Sequence, residues 1–290
     1  MMNGIFTALL TPFNDDYSIN EKSLEKLIEF NLSSGVNGFY VGGSTSEAML
    51  MRVDERKRLL ELVKSIVGSR APMIAHVGAI STLDAEELAV KAKNLGYDAV
   101  SAVAPFYYSF GLDAIKQYYI DVAKSADLPV YIYNFPAGNG FGLTADIAKS
   151  IFESDSRFAG IKHTSNDLFA IRQFKDSIEN ITVFNGYDEI CLAGLSMGAD
   201  GAIGSTYNFM GKRFVKLYNS FKSGNIAEAE KLQKEACEII TVMCKYGVFQ
   251  CEKEILTLMG IDMGPCRKPF LPLSDEGKAA VKDILSKYEF

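Results

Sequence analysis

Lys162 closes a short apolar run, Phe158-Ala159-Gly160-Ile161, and the polar residues His163-Thr164-Ser165-Asn166 follow it at once. In apolar surroundings a lysine loses solvation of its charged form, and its pKa falls. An amine that is partly neutral near pH 7 can attack a ketone and form an imine. Once protonated, the imine is an electron sink, and carbon–carbon bonds beside it can break or form. This chemistry also needs an acid/base group, and Tyr133, at the end of Pro129-Val130-Tyr131-Ile132, offers a phenol. A 2-oxo acid would further need a seat for its carboxylate. Gly43-Ser44-Thr45 could form one from backbone N–H groups and hydroxyls, since glycine lets the backbone come close and a following helix start favours an anion.

Each of these residues also has a plainer role. A strand-end lysine can be a snorkelling or paired charge. Tyr133 can be a half-buried packing residue, Ser44-Thr45 a cap, and Asp188-Glu189 a solvated helix start. The chemical reading holds only if the fold brings these positions to one place.

The elements that must do so recur along the chain. Apolar runs at 4–10, 38–41, 72–77, 99–103, 129–133, 158–162, 182–185 and 201–203 read as strands. Most show little alternation, the mark of parallel strands covered on both faces. Between them lie helical patterns: Asn20, Ser81 and Thr144 read as helix starts, Gly35 and Gly96 as stops. Eight such units predict an α/β fold, a (β/α)8 TIM barrel, over residues 1–223. An open doubly wound sheet is the rival, but no GxGxxG turn follows the first strand. Helical stretches near 226–246 and 274–288, with no strand between, predict a helical extension over 224–290 packed on the barrel. In a barrel the catalytic groups stand at the C-terminal strand ends. Those ends are Gly42–Glu47, Pro105–Tyr108, Tyr133–Pro136, Lys162–Thr164, Asn185–Glu189 and Gly204–Thr206.

Composition narrows the partners. Of 290 residues, 48% are hydrophobic and 23% charged, as in a globular protein with a sizeable core. The net charge is −6 with no dominant basic patch, which argues against nucleic acid and anionic membrane as partners. No apolar run approaches the roughly 20 residues of a membrane helix, and the first residues lack a secretory pattern. The five cysteines form no CxxC pair and fit reduced thiols, so a cytoplasmic setting is expected. Cys237, Cys244 and Cys251 recur every seven residues and read as small core positions rather than a metal or redox stripe. With only His76 and His163 present, a histidine-rich metal site is excluded.

The same strand ends carry a family likeness. "ALLTPF" (8–13), "YVGGSTSEA" (40–48), "VSAVAPFYY" (100–108), "YNFPAG" (133–138), "GIKHTS" (160–165), "FNGYDE" (184–189), "GADGAIGSTYNFMG" (198–211) and "CRKPF" (266–270) occur in this order. Through them the chain resembles the pyruvate-dependent class I lyases, the family of dihydrodipicolinate synthase and N-acetylneuraminate lyase, over essentially its whole length. The resemblance implies that Lys162 forms a Schiff base with pyruvate and that Tyr133 moves the proton. It implies that Ser44 and Thr45 hold the pyruvate carboxylate, and that Tyr107 completes a hydroxyl relay through Ser44 in a neighbouring subunit's site. A homo-oligomer, usually a homotetramer, and no metal or dissociable cofactor are implied with it.

Within the family the acceptor differs. The synthase branch carries an arginine just after the Tyr-Asn-x-Pro run, where this chain has Ala137-Gly138-Asn139. Gly186, Asp188, Glu189 and Ser205 instead resemble the set that binds sugar hydroxyls in the sialic acid lyases, with Thr164 lining the pocket and Phe249 closing it. Carboxylates suit a polyol and repel a dicarboxylate. The implied activity is reversible retro-aldol cleavage of N-acetylneuraminate to N-acetylmannosamine and pyruvate. A related aldolase of the 2-keto-3-deoxygluconate type and a catalytically silent 2-oxo-acid-binding regulator stand as alternatives. Ser46 departs from the family, which usually has Gly there. If that position needs a positive φ, Ser46 is strained and carboxylate binding altered; if not, serine is simply accommodated.

Overall fold

The computed structural model describes residues 2–290. Its strands are β1 (Gly4–Ala8), β2 (Gly38–Val41), β3 (Met73–His76), β4 (Ala99–Val103), β5 (Val130–Asn134), β6 (Phe158–His163), β7 (Thr182–Asn185) and β8 (Gly201–Gly204). All pair in parallel with their sequence neighbours, and β8 pairs back to β1, closing the barrel. The helices are α1 (Glu21–Ser33), α2 (Val53–Val67), α3 (Thr82–Leu95), α4 (Leu112–Ala126), α5 (Pro136–Asn139), α6 (Ala145–Phe152), α7 (Phe169–Ser177), α8 (Cys191–Ser196), α9 (Tyr207–Lys222), α10 (Ile226–Tyr246), α11 (Val248–Leu258) and α12 (Asp275–Lys287). Short 3-10 turns at Ala48–Leu50 and Asp188–Ile190 follow β2 and β7.

Local chemistry accounts for many of these boundaries. The side chains of Asn20, Ser81 and Thr144 accept from the backbone N–H three residues on, which satisfies an otherwise orphaned helix donor. Gly96 ends α3 in the left-handed conformation at φ 75°. The expected strands coincide with those observed to within two residues at each end.

Two cores result. Phe6, Ala8, Tyr40, Ile74, Ala99, Tyr131, Phe184 and Ile203 fill the inside of the barrel. A larger apolar layer lies between the strands and the surrounding helices. Side chains alternate along a strand, so the inner layer fixes which residues reach the mouth. Two residues beyond Tyr131 stands Tyr133, and two beyond Ile74 stands His76. On β6, Gly160 leaves room for the Tyr131 ring, and Lys162 and Thr164 follow on the same face. His163, one residue out of phase, packs edge-on against Phe174 of α7 with centroids 5.5 Å apart.

The C-terminal part differs from expectation in detail. α10 ends at Tyr246, and Gly247, at φ 110°, turns the chain directly into α11. The sequence reading had not identified α11. This turn also breaks the cysteine repeat: Cys251 is buried, Cys237 half-buried and Cys244 exposed, so the three do not form one core stripe. α10 packs on α9 and on the turn at Asp188–Ile190, while α11 packs on α9 and α12.

A Cβ at position 160 would lie 2.4 Å from the Tyr131 ring and 2.5 Å from the Thr182 carbonyl oxygen, and backbone cannot yield as a side chain can. Gly160→Ala is expected to destabilise the protein by about 1–3 kcal/mol, read as a lower denaturation midpoint in urea. An unchanged midpoint would refute the packing argument.

Candidate active site

Lys162 and Tyr133 are direct partners across the β5–β6 ladder. Both side chains point into the barrel mouth, and both are buried. The Lys162 amine lies 4.3 Å from the centre of the Tyr133 ring and 4.4 Å from that of Tyr40. Tyr40 is anchored from β2 by donating its hydroxyl hydrogen to Ser101 at 3.0 Å. His76 stands edge-on to Tyr133 at 5.9 Å, and Phe135 stacks on its other side at 5.6 Å. These rings leave the amine little water. Burial pulls Lys162 down from 10.5 to about 7, and the charge of Asp188 resists that fall.

Burial pushes the Tyr133 phenol up to about 12, and the hydroxyls of Ser44 and Thr164 beside it moderate the rise. Tyr133 therefore stands protonated, flanked by the hydroxyls through which a proton could leave. Ser44 and Thr45 sit in the loop after β2. Gly42 begins that loop at φ 76°, a conformation that favours glycine. A Cβ on Gly43 would meet the Tyr40 ring at 2.7 Å, so the backbone approaches that ring closely only because the residue is glycine.

Ser46 does not carry the positive φ that its departure from the family suggested. That conformation falls on Glu47, at φ 59°. The Ser46 hydroxyl accepts from the Gly42 N–H at 3.1 Å and donates to the Leu9 carbonyl at 2.6 Å, joining the β1 and β2 loops. Serine is thus accommodated, and the only feature that favoured a silent binding protein is removed. Glu47 is buried and pairs with Lys253 of α11 at 2.6 Å. It also accepts from the Arg267 backbone N–H at 2.6 Å. The C-terminal helices are thereby tied to the loop that carries Ser44 and Thr45.

Across the mouth, Asp188 is buried in the turn after β7. One of its oxygens accepts from both the N–H and the hydroxyl of Thr206, at 2.9 and 2.7 Å. The other makes no hydrogen bond of ordinary geometry among the described residues, and the Tyr207 phenol stands beside it. Burial raises the pKa of Asp188 to about 6, against the pull of the Thr206 bonds. The Thr164 hydroxyl, whose near neighbour is the Tyr133 phenol, is likewise buried with no hydrogen bond of ordinary geometry among the described residues. Gly186 faces it so closely that a Cβ would lie 1.9 Å from the hydroxyl oxygen. Buried polar atoms so poorly partnered are uncommon, and two of them stand at this end of the barrel. Glu189 and Ser205 are half-buried. Phe249 packs edge-on against Phe270 at 5.7 Å. Tyr107 is not gathered in: it is 85% exposed, with φ 82°.

The sequence reading missed Tyr40, His76 and Phe135, which form the aromatic housing, and the Glu47–Lys253–Arg267 link. Tyr40 and His76 could have been found from inward-facing strand phase. The link could not, because Glu47 lies more than two hundred residues from both Lys253 and Arg267.

An eight-stranded parallel barrel holding a desolvated lysine beside a buried phenol defines a class of enzyme, the barrel lyases that work through a lysine imine. The chain belongs to the dihydrodipicolinate synthetase family, whose model matches residues 1–288. It is 41% identical to the N-acetylneuraminate lyase of Rhizobium meliloti over 285 residues, which cover 98% of this chain and 95% of that one. Among solved structures it is similar to CdNal from Clostridium difficile in complex with mannosamine, with TM-score 0.97, 37% identity and full coverage of both chains. The N-acetylneuraminate lyase from Fusobacterium nucleatum gives TM-score 0.94 and 36% identity, with 100% and 99% coverage.

The lysine's depressed pKa has a consequence for stability. An unfolded chain keeps the Lys162 proton up to about 10.5, while the folded chain releases it near 7. The fold therefore carries a penalty at neutral and lower pH that fades as pH rises through this window. Lys162→Met should raise stability at pH 7 by on the order of 3–4 kcal/mol, with the difference narrowing toward pH 10. Chemical denaturation at several pH values measures it, and a variant no more stable than the parent would refute the desolvation argument.

Proposed function

We propose that the protein is an N-acetylneuraminate lyase, cleaving N-acetylneuraminate reversibly to N-acetylmannosamine and pyruvate. The observation that carries the chemistry is the Lys162 amine, titrating near neutrality within 4.3 Å of the Tyr133 ring centre. The neutral amine attacks the C2 ketone of the open-chain sugar, water leaves, and an iminium forms. Loss of the C4 hydroxyl proton then lets the C3–C4 bond break, and its electron pair moves into the iminium to give an enamine. Proton transfer to the enamine carbon and hydrolysis release pyruvate and restore Lys162.

Because Tyr133 rests protonated, it acts as a relay. It accepts the C4 hydroxyl proton as it passes its own to Ser44. Ser44 and Thr45 seat the carboxylate at the end of the β2 loop. Asp188 and Glu189 accept hydrogens from the sugar chain, Ser205, Thr164 and Gly186 complete that wall, and Phe249 covers it. A chain of hydroxyls suits these acceptors, whereas a second carboxylate would meet like charge. The curated relatives named N-acetylneuraminate lyase support this choice of acceptor.

Tyr107 takes its place in the relay of a neighbouring subunit, in a homo-oligomer that we propose is a tetramer. Its exposed ring, the adjoining Tyr108 at 4.9 Å between centroids, and its left-handed backbone support this role. The proposed division of labour gives the chemistry to the barrel, 1–223, and support of the β2 loop to the extension, 224–290. The five unpaired cysteines fit a cytoplasmic setting.

Borohydride added with pyruvate should lock a pyruvyl adduct onto Lys162, identified by peptide mass spectrometry. The trapping rate should fall as pH drops below about 7, where the amine takes up a proton. No adduct on the folded protein, or a rate indifferent to pH, would overturn the mechanism. The relay across subunits has its own test. Tyr107→Phe and Lys162→Ala proteins, each nearly inactive alone, should recover activity after subunit exchange. Mixtures as inactive as their components would place Tyr107 outside the neighbouring site.

A further inference from the structure

Glu252 of α11 is fully buried, and among the described residues neither of its carboxyl oxygens is in a hydrogen bond of ordinary geometry. Two such orphaned oxygens on one side chain would be a heavy penalty for a carboxylate. The groups that bear on it come from several elements. The Ser205 hydroxyl, after β8, stands beside the carboxyl, and Asp188 adds negative charge from the turn after β7. Lys253, next to it on α11, adds positive charge but is itself paired with Glu47. Cys251 and Cys266 lie close enough to feel its charge. Burial pushes Glu252 up to about 8, with Asp188 adding to the rise and Ser205 and Lys253 opposing it. At neutral pH the group is therefore a carboxylic acid with a proton to donate.

The polyol wall is short of donors. Ionised Asp188 and Glu189 only accept hydrogen bonds. The Thr206 hydroxyl is committed to Asp188 at 2.7 Å. A sugar hydroxyl bound to this wall can give its hydrogen to a carboxylate, but its oxygen still needs a donor. Thr164 and Ser205 are the hydroxyls of the wall that can provide one, and Ser205 is the one that stands beside Glu252.

We propose that Glu252 is a positioning residue that sets the direction of the Ser205 hydroxyl. As a neutral acid it donates to the Ser205 oxygen and leaves the Ser205 hydrogen for the substrate. As a carboxylate it takes that hydrogen for itself, and Ser205 can then only accept. This rests on the reading of Ser205 as a contact to the sugar chain. Affinity for the sugar then has two edges. On the acid side Asp188 gains a proton near 6, and on the alkaline side Glu252 loses one near 8.

The test runs the reaction toward condensation, with pyruvate and N-acetylmannosamine, from neutral pH to about pH 9. For the parent enzyme, KM for N-acetylmannosamine should rise about three- to tenfold, the loss of one hydrogen bond, with no matching rise in KM for pyruvate. Glu252→Gln carries a permanent donor and should keep the sugar KM low and flat across this range. Ser205→Ala should abolish the rise, and adding Glu252→Gln to it should change nothing further. An alkaline rise that survives in either single variant, or is missing from the parent, overturns the proposal. Infrared spectroscopy gives a readout that needs no turnover, and its pH titration needs only the parent protein. A protonated-carboxyl band should be present in the parent at neutral pH and bleach toward pH 9, and it should be absent from Glu252→Gln. A parent without that band also overturns the proposal. Failure to turn over N-acetylmannosamine while pyruvate is still trapped on Lys162 would count against the substrate assignment, and the infrared titration would then decide the role of Glu252.

Discussion

Removal of water from one amine is the constraint on which the rest of the structure depends. In the proposed mechanism Lys162 reacts because Tyr40, Tyr133 and the barrel wall replace its solvent. The balance is deliberate in physical terms. Burial alone favours the neutral amine, but the nearby Asp188 charge and the faces of two aromatic rings favour the ammonium. The result is an amine that titrates near 7, where both forms are populated. That is the useful range, since attack needs the neutral form and the imine must be protonated to act as a sink.

The same dryness governs the neighbours. Tyr133 stays protonated in such surroundings, so in the proposed mechanism it passes protons on rather than holding a negative charge. Asp188 bears the opposite strain, a carboxylate held in place by two bonds from Thr206, with its second oxygen buried against Gly204 and the Tyr207 phenol. A carboxylate so poorly satisfied in a dry site is unfavourable. The barrel mouth is thus built at some expense of stability.

The C-terminal helices take part in this arrangement. Glu47 holds a left-handed backbone in the β2 loop, and its carboxylate is fixed by Lys253 and the Arg267 N–H. Arg267 in turn donates to the Tyr17 carbonyl at 2.7 Å and to Glu55. A buried ion pair contributes little net stability, but breaking one partner away leaves an uncompensated charge. It therefore acts as a register, holding the loop of Ser44 and Thr45 against α11, the helix that also presents Phe249 and Glu252.

Strand order, barrel closure and the gathering of Lys162, Tyr133, Ser44 and Thr164 at one mouth were legible in the chain. They depend on local apolar runs, on helical patterns recurring between them and on the rule that barrel strand ends converge. Caps such as Asn20 and Thr144 were legible for the same reason, since their bonds span three residues. What sequence could not supply was the surroundings of each group. The break at Gly247, the shift of the strained φ from Ser46 to Glu47, and the pairing of Glu47 with Lys253 depend on contacts between distant segments. So does the choice of ionisation state: nothing in the string around Glu252 marks it as a glutamate that packing buries completely. Residue type and spacing determined which chemical groups the protein has and roughly where they stand. Tertiary packing alone decided which of them lose their water, because desolvation is set by everything that surrounds a side chain and not by its neighbours in the chain.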